Sequence, residues 1–204
     1  YSVLVNVIGP ETLFDSLNTI KVKESVNGPS TLVNYHYYQH SGDALYLVAS
    51  LGSGLVLPKT AAALPIFHSA NFLHPSFAHT YASESDSIFR HLPPKAVLHY
   101  PLSEAREWRY SETGKPRRAN KRVVGETEVS TPAGTFDVVR IQWQFDFDGD
   151  GSFDDNVEYF DYIAEQGLVK RSFVIRNLPL VDDKGNFIGS YDFIDTSVLT
   201  TQTP

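Results

Sequence analysis

Apolar and polar residues alternate with a period of two along most of the chain, which is the signature of half-buried strands rather than helices. Tyr1–Ile8 alternates around Val3, Val5 and Val7 and is predicted to end at Gly9-Pro10. Thr19–Val26 puts Ile20, Val22 and Val26 on one face and Lys21, Lys23 and Ser25 on the other. Asn27-Gly28 and Ser41-Gly42-Asp43 are turn sequences, and between and after them Thr31–Gln39 and Ala44–Ser50 complete a meander. From Leu55 to Pro94 the periodicity fades among five prolines (58, 65, 75, 93 and 94), and Lys59–Leu64 could form at most a short helix.

Alternation returns at Arg106–Ser111 and Val123–Ser130, then at Phe136–Phe147, Val157–Ile163, Leu168–Arg176 and Phe187–Leu199. Turns are predicted at Thr131-Pro132-Ala133-Gly134, Glu165-Gln166-Gly167 and Asp182–Asn186. With no internal repeat, linker or low-complexity tract, residues 1–204 read as one mainly β domain. The expected architecture is a single antiparallel β-barrel or a strongly curved open sheet with few short helices.

Composition narrows the function classes. Aromatic residues are 13% of the 204, with 11 Tyr and 13 Phe, which suits strands. The absence of Cys removes disulfides, thiolate nucleophiles and Cys-based metal sites. The absence of Met means that Tyr1 is not a natural start, so a removed signal peptide is expected upstream, with a lipidated Cys as one form of its end. No stretch of about 18 apolar residues is present to span a membrane. A periplasmic or extracellular location follows as an expectation, with an N-terminal lipid anchor in the precursor as one version of it.

The charge is local. Net charge is −7, and residues 146–165 hold eight carboxylates and no Lys or Arg, so the rest sums to −7 + 8 = +1. Within that stretch Asp146, Asp148, Asp150 and Asp154 occupy loop positions 1, 3, 5 and 9, with Gly151 at the sharp bend of position 6. Alternating carboxylates on a tight turn offer the hard oxygens that Ca²⁺ takes. The spacing resembles the calcium loops of EF-hands, dockerins and thrombospondin-type repeats. That resemblance implies Asp146, Asp148, Asp150 and Asp154 as ligands, with Ser152 giving its backbone carbonyl. Val157 stands where an EF-hand has its bidentate Glu, and both flanks read as strands, so the expectation is a structural hairpin loop and not a helical sensor. Closure by Asp155 or Glu158 stays open, and a plain turn is the competing reading.

Other motifs carry less. His68, His74 and His79 match no zinc spacing. Gly52-Ser53-Gly54 lacks the Lys of a phosphate loop, and no Gly-x-Ser-x-Gly elbow exists. Lys115–Arg122 reads as a solvated hairpin tip, and no nucleic-acid partner is expected. Tyr35–Tyr38, Trp108 and Trp143 read as core, with a ligand-lining role as the alternative.

Tyr100-Pro101-Leu102 with Trp108, then Val129–Phe136, then Gln166–Lys170, resembles an uncharacterised family of exported bacterial lipoproteins, the TapB-like group, over about Leu92–Arg176. The family implies export and a curved β fold and no catalytic group. Three functions remain: a binding module for an apolar or amphiphilic ligand, a hydrolase of envelope or polysaccharide material using unrecognised carboxylates, and a structural component of a surface assembly. The lack of a nucleophile or base constellation favours a protein that is not an enzyme.

Overall fold

The structure is a computed structural model that describes residues 2–27, 31–52, 67–68, 76–77, 88–111, 118–147, 149–182 and 185–201. These residues form strands and turns, with no helix among them, and no helix able to cross a membrane. The chain divides into two compact units, residues 1–101 and 102–204.

In the first unit, β1 (Ser2–Leu13), β2 (Leu17–Asn27), β3 (Thr31–Ser41), β4 (Ala44–Gly52) and β7 (Phe89–His99) form an antiparallel sheet in the order β1-β2-β3-β4-β7. Two short strands, β5 (Phe67–His68) and β6 (Ser76–Phe77), pair with each other. Most of the predicted irregular stretch 55–94, including His74, His79 and the possible helix 59–64, lies outside the described residues. Leu13, Tyr37, Val48 and Ala49 form a buried cluster, with Leu17, Tyr46 and Leu51 packed on it. Gly9-Pro10 does not end the first strand as the sequence suggested. β1 runs on to Leu13 through a register shift between Val7 and Gly9. An edge strand tolerates Pro10 because no further ladder needs its missing N–H.

The second unit is a six-stranded antiparallel sheet of β8 (Glu107–Ser111), β9 (Arg118–Thr131), β10 (Gly134–Asp146), β11 (Val157–Ala164), β12 (Gly167–Val181) and β13 (Phe187–Val198). Consecutive strands pair, so its order follows the chain backwards from β13 to β8. Both sheets are open among the described residues, so the open-sheet alternative holds rather than the closed barrel. The turns at 132–133 and 165–166 fall where Pro132, Gly134 and Gly167 place them, and Gly167 has φ 118°.

One prediction in this unit is overturned. Arg118–Arg122 is not a solvated tip: it is the start of β9, and Lys121 is fully buried. The two-residue period decides this, because Ala119, Lys121 and Val123 share the core face while Arg122 points to solvent.

Candidate functional site

The acidic loop joins β10 to β11. Its backbone closes through the Asp154 N–H, which donates to the Phe145 carbonyl at 2.7 Å. Gly149 and Gly151 both adopt left-handed φ, 81° and 94°, which is what the bends demand of glycine. Asp146 is buried, and its carboxylate accepts the N–H of Gly149 at 2.6 Å and of Gly151 at 3.3 Å. Asp150 accepts from Ser152 N–H at 2.7 Å, and Asp154 accepts from Phe147 N–H at 2.9 Å. Asp148 lies outside the described residues.

A cation of the chain itself stands at this loop. The Arg118 guanidinium lies over the Phe153 ring at 4.2 Å and donates to the Gly151 carbonyl at 2.6 Å. Its Nε is 3.9 Å from the Asp146 carboxylate. Glu158, one of the two open choices for closing the loop, is instead bound by Arg176 at 2.9 Å, and Asp155 is exposed. Among the described residues no three carboxylates or imidazoles converge as a metal-holding group. The donors present are hard oxygens that suit Ca²⁺, and the place beside Asp146 and Gly151 is one that a cation would contest with Arg118.

Two further clusters were invisible in the sequence. In the second unit, Asp161 on β11 faces Arg171 on β12 directly across the ladder. Arg171 Nε donates to Asp161 Oδ1 at 2.6 Å, and Trp143 Nε1 donates to Oδ2 at 2.7 Å. Lys121 Nζ lies 3.8 Å from the same Oδ2 and 3.8 Å from the Trp143 ring. All four side chains are buried. Burial pushes the Lys121 ammonium down to about 7; Asp161 pulls it up, and Arg171 pushes it down again. Around this group the rings of Tyr110, Trp143, Tyr159, Phe173 and Phe193 touch in series at 4.7, 5.4, 5.1 and 5.8 Å, so the core face is filled by side chains. Trp108 and Trp143 are buried with it, as core residues.

In the first unit, β2, β3, β4 and β7 bring Glu24, His36, Ser50 and His91 into one buried chain. Glu24 Oε2 is 3.5 Å from His36 Nε2, and His36 Nδ1 is 3.3 Å from Ser50 Oγ. Ser50 Oγ is 3.0 Å from His91 Nε2. Ser50 has one proton to give, so one imidazole accepts from it and the other donates to it. Burial first, then the charges of Lys95 and His36, push the His91 imidazole down to about 3, so it is neutral at physiological pH. Burial also lowers Lys95 to about 8.

Carboxylate, imidazole and hydroxyl stand in the order of a nucleophilic triad, although the relevant imidazole nitrogens are reversed. Ser50, however, lies inside a strand and is 2% exposed, so a carbonyl carbon has no approach to its Oγ. Strand register alone assembled this chain: His36 faces Ser50, while Glu24 and His91 come from strands 12 and 41 residues away from those partners in sequence. No periodicity signal reports such pairings. No family model, no curated protein and no solved structure matches the chain.

Proposed function

We propose that this protein is an exported, non-catalytic interaction module of the periplasm or cell surface, stiffened by Ca²⁺ at the loop of Asp146, Asp148, Asp150, Ser152 and Asp154. The lipoprotein-like motifs at Tyr100–Trp108, Val129–Phe136 and Gln166–Lys170 motivate the location. One observation carries the rest: the two clusters of acid–base and nucleophilic side chains that the described residues bring together are buried and bound within themselves. Asp161 is held by Arg171 and Trp143, and Ser50 is held by two imidazoles. The row of touching rings in the second unit occupies the face where an apolar ligand would otherwise lie. The surface and edges of the sheets are then the working parts, which favours the surface-assembly role over carriage of a small ligand.

The hydrolase reading has one observation in its favour, the Glu24–His36–Ser50 chain, and the two readings part in a single experiment. Treated with a fluorophosphonate probe, the folded protein should show no adduct at Ser50 by mass spectrometry. A Ser50 adduct that disappears in His36→Gln would make the protein a hydrolase and end the non-catalytic reading.

Calcium is tested separately. Binding that is confined to the folded state should add about 1.4 kcal/mol at ten times Kd, with Kd about 10⁻⁴ M for an extracellular-type loop. A protein of this size then melts a few degrees higher, at about 2–4 °C per kcal/mol. Asp148→Ala with Asp150→Ala should abolish the response. Arg118→Gln should enlarge it, because the guanidinium no longer contests the Asp146 oxygens and the Gly151 carbonyl. Identical melting with calcium and with chelator in wild type and in Arg118→Gln would leave the loop as a turn only.

A further inference from the structure

One face of the second sheet is filled by the ring series around Asp161, and the other carries a different set of side chains. There Tyr162 on β11 stands directly opposite Arg140 on β10 and Lys170 on β12. In the next row of the same face Phe160 stands opposite Gln142 and Ser172, and Gln142 stands opposite Arg122 on β9. Arg140 and Arg122 are exposed, and Lys170 and both rings are half-buried. Tyr162 packs on the cluster of Val129, Val138, Ala164 and Val169, which fixes its ring. The Arg140 guanidinium lies 5.4 Å from the Phe160 ring centroid, and the Lys170 ammonium 5.1 Å from that of Tyr162. Each cation is thus propped on an aromatic ring.

What the two cations lack is an anion. Neither Arg140 nor Lys170 has a side-chain hydrogen bond or ion pair among the described residues. The carboxylates nearest them on this face are engaged elsewhere. Glu107, opposite Arg122, accepts from Asn120 at 2.6 Å, and Glu158 is held by Arg176 at 2.9 Å. Glu126, opposite Val139, and Asp137 stand on the other face of the sheet. Gly125 is the residue opposite Arg140, and a Cβ added to it would meet nothing within 4 Å, so there is room beside the guanidinium. Lys21 in the first unit shows the contrast: it too lies over a ring, but Glu11 binds it at 2.9 Å.

We propose that this face binds an acidic polysaccharide, with sugar carboxylates at Arg140 and Lys170 and sugar hydroxyls at Gln142 and Ser172. Charge complementarity selects an anion, and the planar guanidinium presents a fork that matches a carboxylate. Spacing selects a chain of them. Arg140 and Lys170 flank Tyr162 two strand spacings apart, about 10 Å, which is the reach of two sugar rings along an extended chain. The amide of Gln142 and the hydroxyl of Ser172 both donate and accept, as a hydroxyl-rich polymer requires. A nucleic acid fits less well, because each ring already carries a cation over its face and offers a base no free platform for stacking. An anionic membrane surface asks for a larger basic cluster than these three cations. The proposal rests on the reading of the chain as a non-catalytic interaction module and names its partner.

The test is calorimetric titration of the whole chain with a polygalacturonate fragment, in chelator so that calcium bridges nothing. At about 0.1 M salt the Debye length of about 10 Å screens the acidic loop, which lies roughly 20 Å from Arg140 along β10. Wild type should bind the fragment, more weakly as salt rises, and should not bind uncharged dextran. Arg140→Gln with Lys170→Gln should lower the affinity at least tenfold with an unchanged circular dichroism spectrum. Ser172→Glu should lower it too, by giving Lys170 a carboxylate from its own chain. Lys21→Gln removes an equal charge and should change nothing. Absence of binding, equal binding of dextran, a double variant that binds as wild type does, or an equal loss in Lys21→Gln overturns the proposal. So does tighter binding of a single-stranded oligodeoxynucleotide or of poly-glutamate of matched charge, which would assign the face to that partner instead. Such a failure leaves the non-catalytic reading standing, whereas a fluorophosphonate adduct at Ser50 ends that reading whatever the face binds.

Discussion

Asp161→Ala should cost about 3–5 kcal/mol of folding free energy, measured by urea unfolding, because it takes a carboxylate from two buried cations at once. Arg171 loses the carboxylate at 2.6 Å, and Lys121 loses the one at 3.8 Å. The Trp143 N–H loses its acceptor as well. Within the wild-type cluster Lys121 is the member whose charge burial disfavours. The folded ammonium releases its proton near pH 7 while the unfolded chain holds it to about 10.5. Between those values the unfolded state binds more protons, so stability should rise with pH from about 7 towards 10. Lys121→Met should remove the part of that rise between pH 7 and 8 and shrink the remainder, which Lys95 shares, and should match or exceed wild-type stability at pH 7, since the long apolar side chain keeps the packing on Trp143. A flat pH profile for wild type, or Asp161→Ala as stable as wild type, would refute this account of the core.

Acid should act on the other unit through His91. Its folded imidazole takes a proton only near pH 3, against 6.5 in the unfolded chain. The unfolded state therefore binds more protons between those values, and stability is lost as pH falls from about 6.5 to 3. The displacement is worth on the order of 5 kcal/mol at 1.36 kcal/mol per unit, enough to unfold a typical domain. The groups around it are Ser50, His36 with Glu24 behind it, and Lys95 on its own strand. His91→Gln keeps a donor and acceptor for Ser50 and removes the titration, so its unfolding free energy should fall far less between pH 6.5 and 4. Should wild type and His91→Gln lose stability in parallel over that range, the acid sensitivity lies elsewhere.

These predictions show where the sequence was legible. Class, strand positions and most turns could be read from it, because a two-residue period and the φ preferences of Gly, Pro and Asn are local properties. Phe136–Phe147 and Val157–Ile163 were placed to within a few residues of β10 and β11. The acidic loop was recognisable for the same reason, since its carboxylates are neighbours in the chain. Burial of Trp108 and Trp143 followed from their size and apolar surface.

What only the tertiary structure decided is which polar residues meet. Lys121 looked like part of a solvated basic run, and the parity of β9 buried it under Trp143. Parity depends on where a strand begins, and a one-residue slip would have exchanged Lys121 for Arg122. Asp161 belonged to an acidic stretch by sequence and became an anion shared by Arg171 and Lys121 by register. Arg118 is distant from Gly151 in the chain and reaches its carbonyl only because β9 pairs with β10 up to Asp146. Glu24, His36, Ser50 and His91 share no motif, and four strands set side by side gather them. Local pattern says that a residue lies on a strand; pairing between distant segments, which pattern does not encode, says what that residue faces.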